Sequence, residues 1–389
     1  MTTILYSGYY NSDKDTCPFE VDPNFFYLTS CDLPNITLIR YHKKDYVIVE
    51  TPDISTYDAE FFQMKLRYCF NATIIELKDL IKMLQTSKII HTLPNIESHP
   101  HFSKLRRFSL DMISIPSELS KKRQLKFIDE ISAIKQACKY TSEGIKHIIE
   151  QSYPNMSQIE LIGLFKQSIS KHGIQELSFN PITAHNKYNQ YLHYEARDRK
   201  IQQGSFVLLD LGCKYKHYCS DISRCFPISG TFTQKQKDLY NVVLKSFKYA
   251  LKLMKPGAHW SEITHKVQLK LYDECLKINL VDSLMNDSDK VNVIDILMPH
   301  GLGHHVGLDN HDCGPITTLK IDMVVAVEPG IYFQIGKDKS PHINTSTWKQ
   351  YEHLGGARIE DTILITPTGH KNLSKITKEI KGIEGLMNK

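Results

Sequence analysis

The sequence predicts an α+β fold divided between two domains. Its 389 residues are enough for two or three domains of ordinary size. Short apolar runs that are typical of strands alternate with amphipathic stretches that are typical of helices. At a polar stretch, residues 116–123, the pattern changes from short elements to long helices. We therefore predict a small N-terminal α/β domain over residues 1–120 and a larger α+β domain over residues 121–389.

The N-terminal domain is predicted to contain a hairpin, a helix and a further strand. Leu38–Arg40 and Tyr46–Glu50 have the composition of strands, and the polar residues between them, 42–45, are typical of a turn. The helix is predicted over Ile74–Gln85, and the further strand is predicted over Lys88–Thr92.

Long helices with one apolar face dominate the first half of the second domain. Ser157 and Thr233 each begin a capping box, which marks the start of a helix. These two helices are expected to end at Gly173 and at Pro256-Gly257. The remaining predicted elements are helices over residues 131–148 and 261–278, and strands at Phe206–Leu211, Val324–Val327, Ile331–Phe333 and Ile359–Ile365.

Composition and charge exclude several classes of protein. The 48 basic residues exceed the 43 acidic residues only slightly, so we expect neither a nucleic-acid partner nor a membrane partner. No secretory signal is evident, and no apolar run approaches the roughly 18 residues of a membrane-spanning helix. The nine cysteines are scattered without a CxxC pair, so we expect reduced thiols and a cytoplasmic location.

Two aspartates are predicted to face each other across a hairpin. Asp210 lies at the end of the apolar strand Phe206–Leu211, and ten residues separate it from Asp221 in the run SDISR. A turn near residues 214–216 would bring the two carboxylates together. Each aspartate alone is better explained as a turn or surface residue. Two facing carboxylates, however, repel each other unless a divalent cation lies between them.

Histidines and glutamates at three further places extend this pattern. Four histidines lie in the glycine-rich segment 299–312: His300, His304, His305 and His311. Glu328 and Glu360 each lie beside an apolar strand. A polar loop and strand-end charges are the alternative explanations for each place alone. Together, the series Asp, Asp, His, Glu, Glu suits two divalent ions such as Mn²⁺ better than a structural Zn²⁺, and such a pair of ions implies hydrolysis.

The second domain closely resembles the pita-bread metallopeptidases of family M24, which include methionine aminopeptidase, aminopeptidase P and prolidase. The resemblance covers about residues 122–370 and rests on five runs in the family's order and spacing: LLDLG, SDISR, MPHGLGHHVGLDNHD, VEPGIYF and RIEDTILIT. In the first domain, Cys17–Asp22 and Asn24–Thr29 resemble the N-terminal domain of aminopeptidase P and prolidase, which methionine aminopeptidase lacks.

The resemblance implies a dinuclear-metal exopeptidase that hydrolyses Xaa-Pro bonds in short proline-containing peptides. A dipeptidase (prolidase) is the main expectation, and an Xaa-Pro aminopeptidase that acts on longer peptides is the alternative. A non-catalytic binding module of the same fold is a remote alternative, because all five metal ligands of the family are present. Mn²⁺ is the expected metal, with Co²⁺ or Zn²⁺ as alternatives, and a homodimer is the expected assembly.

Five positions match the family's metal ligands. The resemblance implies that Asp210 chelates one ion and that Asp221 and Glu360 bridge both ions. It further implies that His304 and Glu328 hold the other ion. Four carboxylates and one imidazole would therefore hold the two cations.

Catalytic roles are implied for Glu328 and for four further residues. Glu328 would accept a proton from water and pass it to the proline nitrogen, which must leave protonated. His300 and His311 would stabilise the tetrahedral oxyanion. His193 matches a further active-site histidine of the family, and Arg358 matches the arginine beside the last ligand.

Three features depart from the family's pattern. His305 and Asn310 replace residues that are usually apolar in the family, so we expect a more polar pocket wall. Between His311 and Glu328 only Lys320 is basic, whereas prolidases with a longer loop there carry an arginine that clamps the free carboxylate of a dipeptide. This difference argues against a strict preference for dipeptides.

Overall fold

The chain divides into two compact units, Met1–Arg123 and Gln124–Lys389. The predicted domain boundary, after residue 120, lies close to this division. Residues 17–19 of the predicted N-terminal motif lie outside the described residues. The computed structural model describes residues 2–7, 20–49, 69, 72–85, 89–92, 99, 102–105, 111–114 and 116–388.

The N-terminal unit is built on a mixed six-stranded sheet. Its strands are β1 (Thr2–Tyr6), β2 (Ile36–Tyr41), β3 (Lys44–Val49), β4 (Thr73–Ile74), β5 (Ile89–Thr92) and β6 (Asp111–Ser114). They lie in the order β4-β3-β2-β1-β5-β6. Leu5 and Leu38 pack in one apolar cluster, and Ile4 and Ile39 pack in another. Neighbouring residues separate in this way because successive side chains of a strand face opposite sides of a sheet.

The helices and turns of this unit agree with the prediction in part. Its described helices are α1 (Pro23–Thr29), α2 (Leu77–Gln85), α3 (Phe102–Leu105) and α4 (Pro116–Arg123). The predicted hairpin is present, and its turn lies at His42 and Lys43, which have positive φ angles of 47° and 63°. The helix predicted over residues 74–85 begins later, at Leu77, because β4 pairs with β3 instead. The polar stretch at the predicted boundary is itself helical, as α4.

The C-terminal unit contains the long helices that the sequence predicts. The long helices are α5 (Ile128–Gln151), α6 (Gln158–Ser170), α7 (Gln234–Leu253) and α8 (Trp260–Lys277). Three shorter helices are α9 (Asp287–Leu297), α10 (Thr345–Tyr351) and α11 (Ile380–Met387). Ser157 and Thr233 form the predicted capping boxes at the starts of α6 and α7. The sequence does not predict α9, α10 or α11. Of these, α10 is short and α11 contains two glycines, which weaken the helical pattern.

Small antiparallel sheets lie beside these helices in the described part of the C-terminal unit. Their strands are β7 (Ile182–His185), β8 (Phe206–Leu211), β9 (Ile222–Pro227), β10 (Val324–Val327), β11 (Gly330–Tyr332), β12 (Gly356–Arg358), β13 (Asp361–Thr366) and β14 (Gly369–Asn372). The sheets have the orders β7-β8-β9, β10-β13-β14 and β11-β12. The strand predicted over residues 359–365 begins two residues later, at Asp361, because the Glu360 N–H donates to the carbonyl oxygen of Ser223 (3.2 Å) and leaves the ladder. One large apolar core joins the helices to the sheets.

Two expectations from composition concern membrane-spanning helices and the state of the cysteines. Within these ranges, no helix combines the length and the apolar character needed to cross a membrane. The eight cysteines described are free thiols, and seven of them are buried. Cys17 lies outside the described residues.

A buried glutamate joins α7 to α8. The side chain of Glu274, in α8, is 3% exposed. Lys270 and Lys277 of the same helix donate to its carboxylate at 2.6 and 2.5 Å, and Lys245 of α7 donates at 3.1 Å. Burial opposes ionisation, but these three hydrogen bonds outweigh burial and lower the pKa of Glu274 to about 2.

We predict that Glu274→Gln lowers the free energy of unfolding at neutral pH by roughly 2 kcal/mol. The wild-type carboxylate has a lower pKa in the folded chain than in the unfolded chain. Its contribution is therefore complete above the ordinary value of 4.5 and is lost as the pH falls towards about 2. Urea unfolding of both proteins across this interval measures the difference. Glu262→Gln, at an exposed position of the same helix, is the matched control. A difference that does not change with pH would contradict the assignment.

Candidate metal centre

The two aspartates lie at the same end of the predicted hairpin. β8 and β9 pair antiparallel along their full length, so Asp210 near the end of β8 approaches Asp221 just before β9. Gly212 permits this close return of the chain, since a Cβ there would lie 2.0 Å from the carbonyl oxygen of Ser220. Both aspartates are buried. The predicted hairpin is therefore confirmed.

His304 is held in place by the backbone beside β10. Its carbonyl oxygen accepts the N–H of Ala326 at 2.8 Å. Gly303 permits this approach, since a Cβ there would lie 1.9 Å from the carbonyl oxygen of Ala326. The Nδ1 atom of His304 lies 2.9 Å from the carbonyl oxygen of the next residue, where it can donate a hydrogen bond. This contact leaves the Nε2 atom available to the carboxylates.

Three carboxylates surround the Nε2 atom of His304. Asp221 Oδ2 lies 3.4 Å away, Glu328 Oε1 lies 3.7 Å away and Glu360 Oε1 lies 3.9 Å away. Ligand atoms of Asp221, His304 and Glu360 all lie within 4.8 Å of one another. A spacing of this kind could hold a metal ion between them.

Several carboxylate oxygens of this cluster have no hydrogen-bond partner among the described residues. They are Oδ1 of Asp210, Oδ1 of Asp221 and Oε1 of Glu360, and all three atoms are buried. Burial, followed by repulsion from neighbouring carboxylates, raises the pKa of Asp221 and of Glu360 well above the ordinary range. Burial also raises the pKa of Glu328 to about 7. Acidic oxygens without donors are what divalent cations require, so the residues present fit the predicted metals.

All nine site residues that the sequence predicts line one cavity of about 590 Å³. The cavity also has an apolar part, formed by Phe179, Ile182 and Leu192. The nine residues are His193, Asp210, Asp221, His300, His304, His311, Glu328, Arg358 and Glu360. The fold therefore brings together all nine residues that the sequence analysis assigns to the site.

Two histidines of the cavity differ in their partners. His300 is engaged at both ring nitrogens, because Nδ1 lies 2.8 Å from the carbonyl oxygen of the next residue and Nε2 lies 3.0 Å from the hydroxyl of Tyr332. Burial, and secondly the charge of Arg358, lowers the pKa of His300 to about 4, so its ring is neutral at pH 7. The ring of His311 packs against that of His304 with centroids 4.1 Å apart. No described residue forms a hydrogen bond to the ring nitrogens of His311.

Arg358 connects the carboxylates to residues that the sequence analysis does not single out. Its Nη2 donates to Asp210 (2.7 Å), its Nη1 to the hydroxyl of Tyr332 (2.8 Å) and its Nε to Ser223 (2.9 Å). Ser223 in turn donates to Glu360 at 2.7 Å. Ser223 lies two residues after a predicted ligand, and the alternation of side chains along a strand could have identified it. Tyr332 has no comparable local signal.

Of the two departures from the family's pattern near His304, one lines the cavity and the other does not. Asn310 lines it, and its Nδ2 donates to Asp221 Oδ2 at 2.9 Å. The ring of His305 is fully buried, and burial lowers its pKa to about 4. His305 forms an antiparallel bridge with Val325, and in such extended backbone neighbouring side chains face opposite sides. The expectation that His305 makes the pocket wall more polar is therefore wrong.

The fold and the site together define a metallopeptidase with a pita-bread catalytic domain. A sequence model of metallopeptidase family M24 matches residues 132–367, and the chain belongs to this family. The structure is similar to that of Escherichia coli aminopeptidase P with the inhibitor Pro-Leu. The TM-score is 0.84 at 25% identity, and the match covers 99% of this chain and 93% of that chain. The expected family, α+β fold and class of enzyme are thereby confirmed.

Relatives that match most of this chain are named Xaa-Pro aminopeptidases. The Xaa-Pro aminopeptidase of Escherichia coli strain K12 is 32% identical over 73% of this chain and 65% of its own length. A protein of Paracoccidioides brasiliensis that is named a probable Xaa-Pro aminopeptidase is 26% identical over 95% of this chain and 88% of its own length. These names agree with the alternative expectation better than with the prolidase expectation.

We predict that, without divalent cations, the stability of the wild-type chain relative to that of Glu328→Gln falls as the pH rises from about 4.5 to about 7. The pKa of Glu328 rises from its ordinary value of 4.5 to about 7 on folding, so in this interval the folded chain keeps a proton that the unfolded chain releases. The difference between the free energies of unfolding of the two proteins should change by roughly 3 kcal/mol across the interval. Thermal and urea unfolding in the presence of a chelator measure this change.

Added Mn²⁺ should remove most of this pH dependence, because the cation neutralises the carboxylates. Asp221→Asn should raise the stability of the chelator-treated chain at pH 7, since it removes one of the repelling charges. It should also reduce the stabilisation by Mn²⁺. Asp295→Asn, at an exposed position of α9, is the matched control. If the difference in stability between the wild-type chain and Glu328→Gln in chelator were constant between pH 4.5 and 7, this account of Glu328 would be wrong.

Proposed function

We propose that this chain is a divalent-metal Xaa-Pro aminopeptidase, which releases the N-terminal residue from peptides with proline at the second position. The proposal rests on the residues that line the cavity. There, carboxylates that need cations lie beside His311, whose ring nitrogens have no described partner. The names of the relatives, and the inhibitor Pro-Leu of E. coli aminopeptidase P, support the same class of substrate.

The five ligand positions are those that the family resemblance implies, and the close grouping of Asp221, His304 and Glu360 supports them. Asp210, Asp221, His304, Glu328 and Glu360 would together hold two cations. The buried oxygens without donors support this assignment. Four carboxylates with one imidazole favour Mn²⁺. When bound, such cations would activate a water molecule and polarise the carbonyl of the scissile bond.

The chain's own residues would then transfer the proton and stabilise the negative charge that develops on the carbonyl oxygen. The bond before proline is a tertiary amide, and its nitrogen must gain a proton to leave. We assign this transfer to Glu328, because its carboxylate lines the cavity beside the other ligand positions, where it can accept a proton from the activated water. His311 is assigned to the oxyanion, because both nitrogens of the neutral His300 ring are already engaged. His193, which is exposed in the cavity, is assigned to contact with the peptide.

The charge of the cavity favours longer peptides over dipeptides. Among the described lining residues, Arg358 is the one permanent cation, and Asp210, Tyr332 and Ser223 already engage its guanidinium group. Lys320 is exposed and does not line the cavity. A dipeptide would place a free carboxylate beside its proline without a cation to neutralise it. A peptide that continues beyond proline has no charge at that position.

We predict that an Xaa-Pro-Xaa tripeptide is cleaved with a kcat/KM at least about tenfold above that of the matching Xaa-Pro dipeptide, which corresponds to about 1.4 kcal/mol. Both peptides are assayed side by side with Mn²⁺. A tripeptide with alanine in place of proline is the matched control and should be a poor substrate. Faster cleavage of the dipeptide would indicate a prolidase. No cleavage of any of these peptides by a chain that binds Mn²⁺ would favour the binding module.

We predict that His311→Ala lowers kcat by about 100-fold and leaves KM nearly unchanged, because the ring acts on charge that develops in the transition state. The affinity for Mn²⁺, measured by calorimetry, should not change, since His311 is not an assigned ligand. His265→Ala, at an exposed position of α8, is the matched control. A kcat that survives His311→Ala would remove this residue from the mechanism.

A further inference from the structure

A buried ion pair adjoins His311 and has no part in the roles assigned above. The Nζ atom of Lys126 donates to Oδ2 of Asp312 at 2.8 Å, and each side chain is 1% exposed. Lys126 precedes α5 and lies outside the residues that the family model matches, 132–367. Asp312 directly follows His311. The pair therefore joins the start of a long helix to the end of the segment that carries the histidines of the cavity.

The packing around this ion pair requires a glycine at position 307. A Cβ at Gly307 would lie 2.2 Å from Asp312 Oδ2 and 3.1 Å from Lys126 Cε, so a larger residue at position 307 would displace one of the partners. The Sγ atom of Cys313 lies 3.4 Å from the same carboxylate oxygen. The charge of Lys126 is balanced by the carboxylate of Asp312.

Backbone hydrogen bonds hold the two halves of the histidine segment differently. Residues 302–306 follow β10, and the N–H of Val306 donates to the carbonyl oxygen of Val324 at 3.0 Å. Residues 307–312 leave the strand. There the N–H of Asp312 donates to the carbonyl oxygen of His305 at 2.9 Å. His304 thus lies in the half that the strand fixes, and His311 lies in the half that ends at the ion pair.

We propose that the pair of Lys126 and Asp312 positions His311 for catalysis. The proposal rests on the function proposed above, in which the His311 ring stabilises the oxyanion. Neither member of the pair lines the cavity, so both act through the backbone of residues 307–312 and do not touch the substrate. A buried charge that has lost its partner is strongly unfavourable, so the segment should move when one member is removed. A displacement of about 1 Å can slow an enzyme by about 100-fold.

Lys126→Met and Asp312→Asn test the proposal in the full-length protein with Mn²⁺ and a tripeptide substrate. For each variant we expect kcat to fall by about 30- to 100-fold. The value of KM should change by less than about threefold, and the affinity for Mn²⁺ should fall less than kcat, since the ligands remain in place and Asn310 of the segment contacts only Asp221 among them. Lys126→Arg, which keeps the charge, should recover part of kcat. Glu274→Gln is the matched control, because it breaks a buried ion pair outside the cavity and should lower stability without lowering kcat.

The combination of Lys126→Met with His311→Ala distinguishes positioning from general support of the fold. If the ion pair acts through His311, the double variant should have the kcat of His311→Ala alone, because the two changes remove the same interaction. Independent losses that multiply would overturn the proposal. A wild-type kcat in folded Lys126→Met would also overturn it.

Hydrogen exchange measured by mass spectrometry tests the anchoring without reference to activity. In Lys126→Met, or in Asp312→Asn if the first variant folds poorly, exchange should increase over residues 307–312 and not over residues 302–306. Glu274→Gln should leave both halves unchanged. Unchanged exchange over residues 307–312 would overturn the proposal. If the wild-type chain cleaves no Xaa-Pro peptide while exchange changes as expected, the proposed function fails and the anchoring by the ion pair is supported.

Discussion

Repulsion between buried carboxylates is the constraint on which the C-terminal unit depends. Four carboxylates lie around the cavity with His304, and the chain compensates their charge only in part. Arg358 donates to Asp210, and Ser223 donates to Glu360. The oxygens that remain without donors are buried and cannot turn to water. A fold that holds these groups together must therefore gain stability from its large apolar core and from the cations that the oxygens can bind.

Close backbone approach is the means by which the fold brings these groups together. Asp210 and Asp221 meet because the chain returns across Gly212, and His304 meets them because Gly303 lies against β10. A side chain at either glycine would collide with a backbone carbonyl and part the strands. The two glycines therefore determine the distances between the ligand positions without offering a ligand themselves.

More of the site's chemistry than of the fold could be predicted from the sequence. The hairpin of Asp210 and Asp221 has a local signal, because an apolar strand, a turn and a second strand follow one another directly. The contact between Lys126 and Asp312 joins residues 186 positions apart, and no local pattern indicates it. Errors at element ends have the same origin. The helix predicted from Ile74 begins late because tertiary strand pairing outweighs local preference there.

Asn310 shows how a departure from the family's pattern can act with the carboxylates. Its amide nitrogen donates to Asp221, while its amide oxygen is buried without a described partner. An unsatisfied acceptor is unfavourable, whereas a hydrogen bond to a charged oxygen is worth roughly twice a neutral one. Asn310 therefore benefits the fold most when Asp221 is ionised, and this hydrogen bond acts to lower the pKa of Asp221 against the effect of burial. The ionised form is also the form that binds a cation. The amide thus favours the same state of Asp221 that a bound metal would favour.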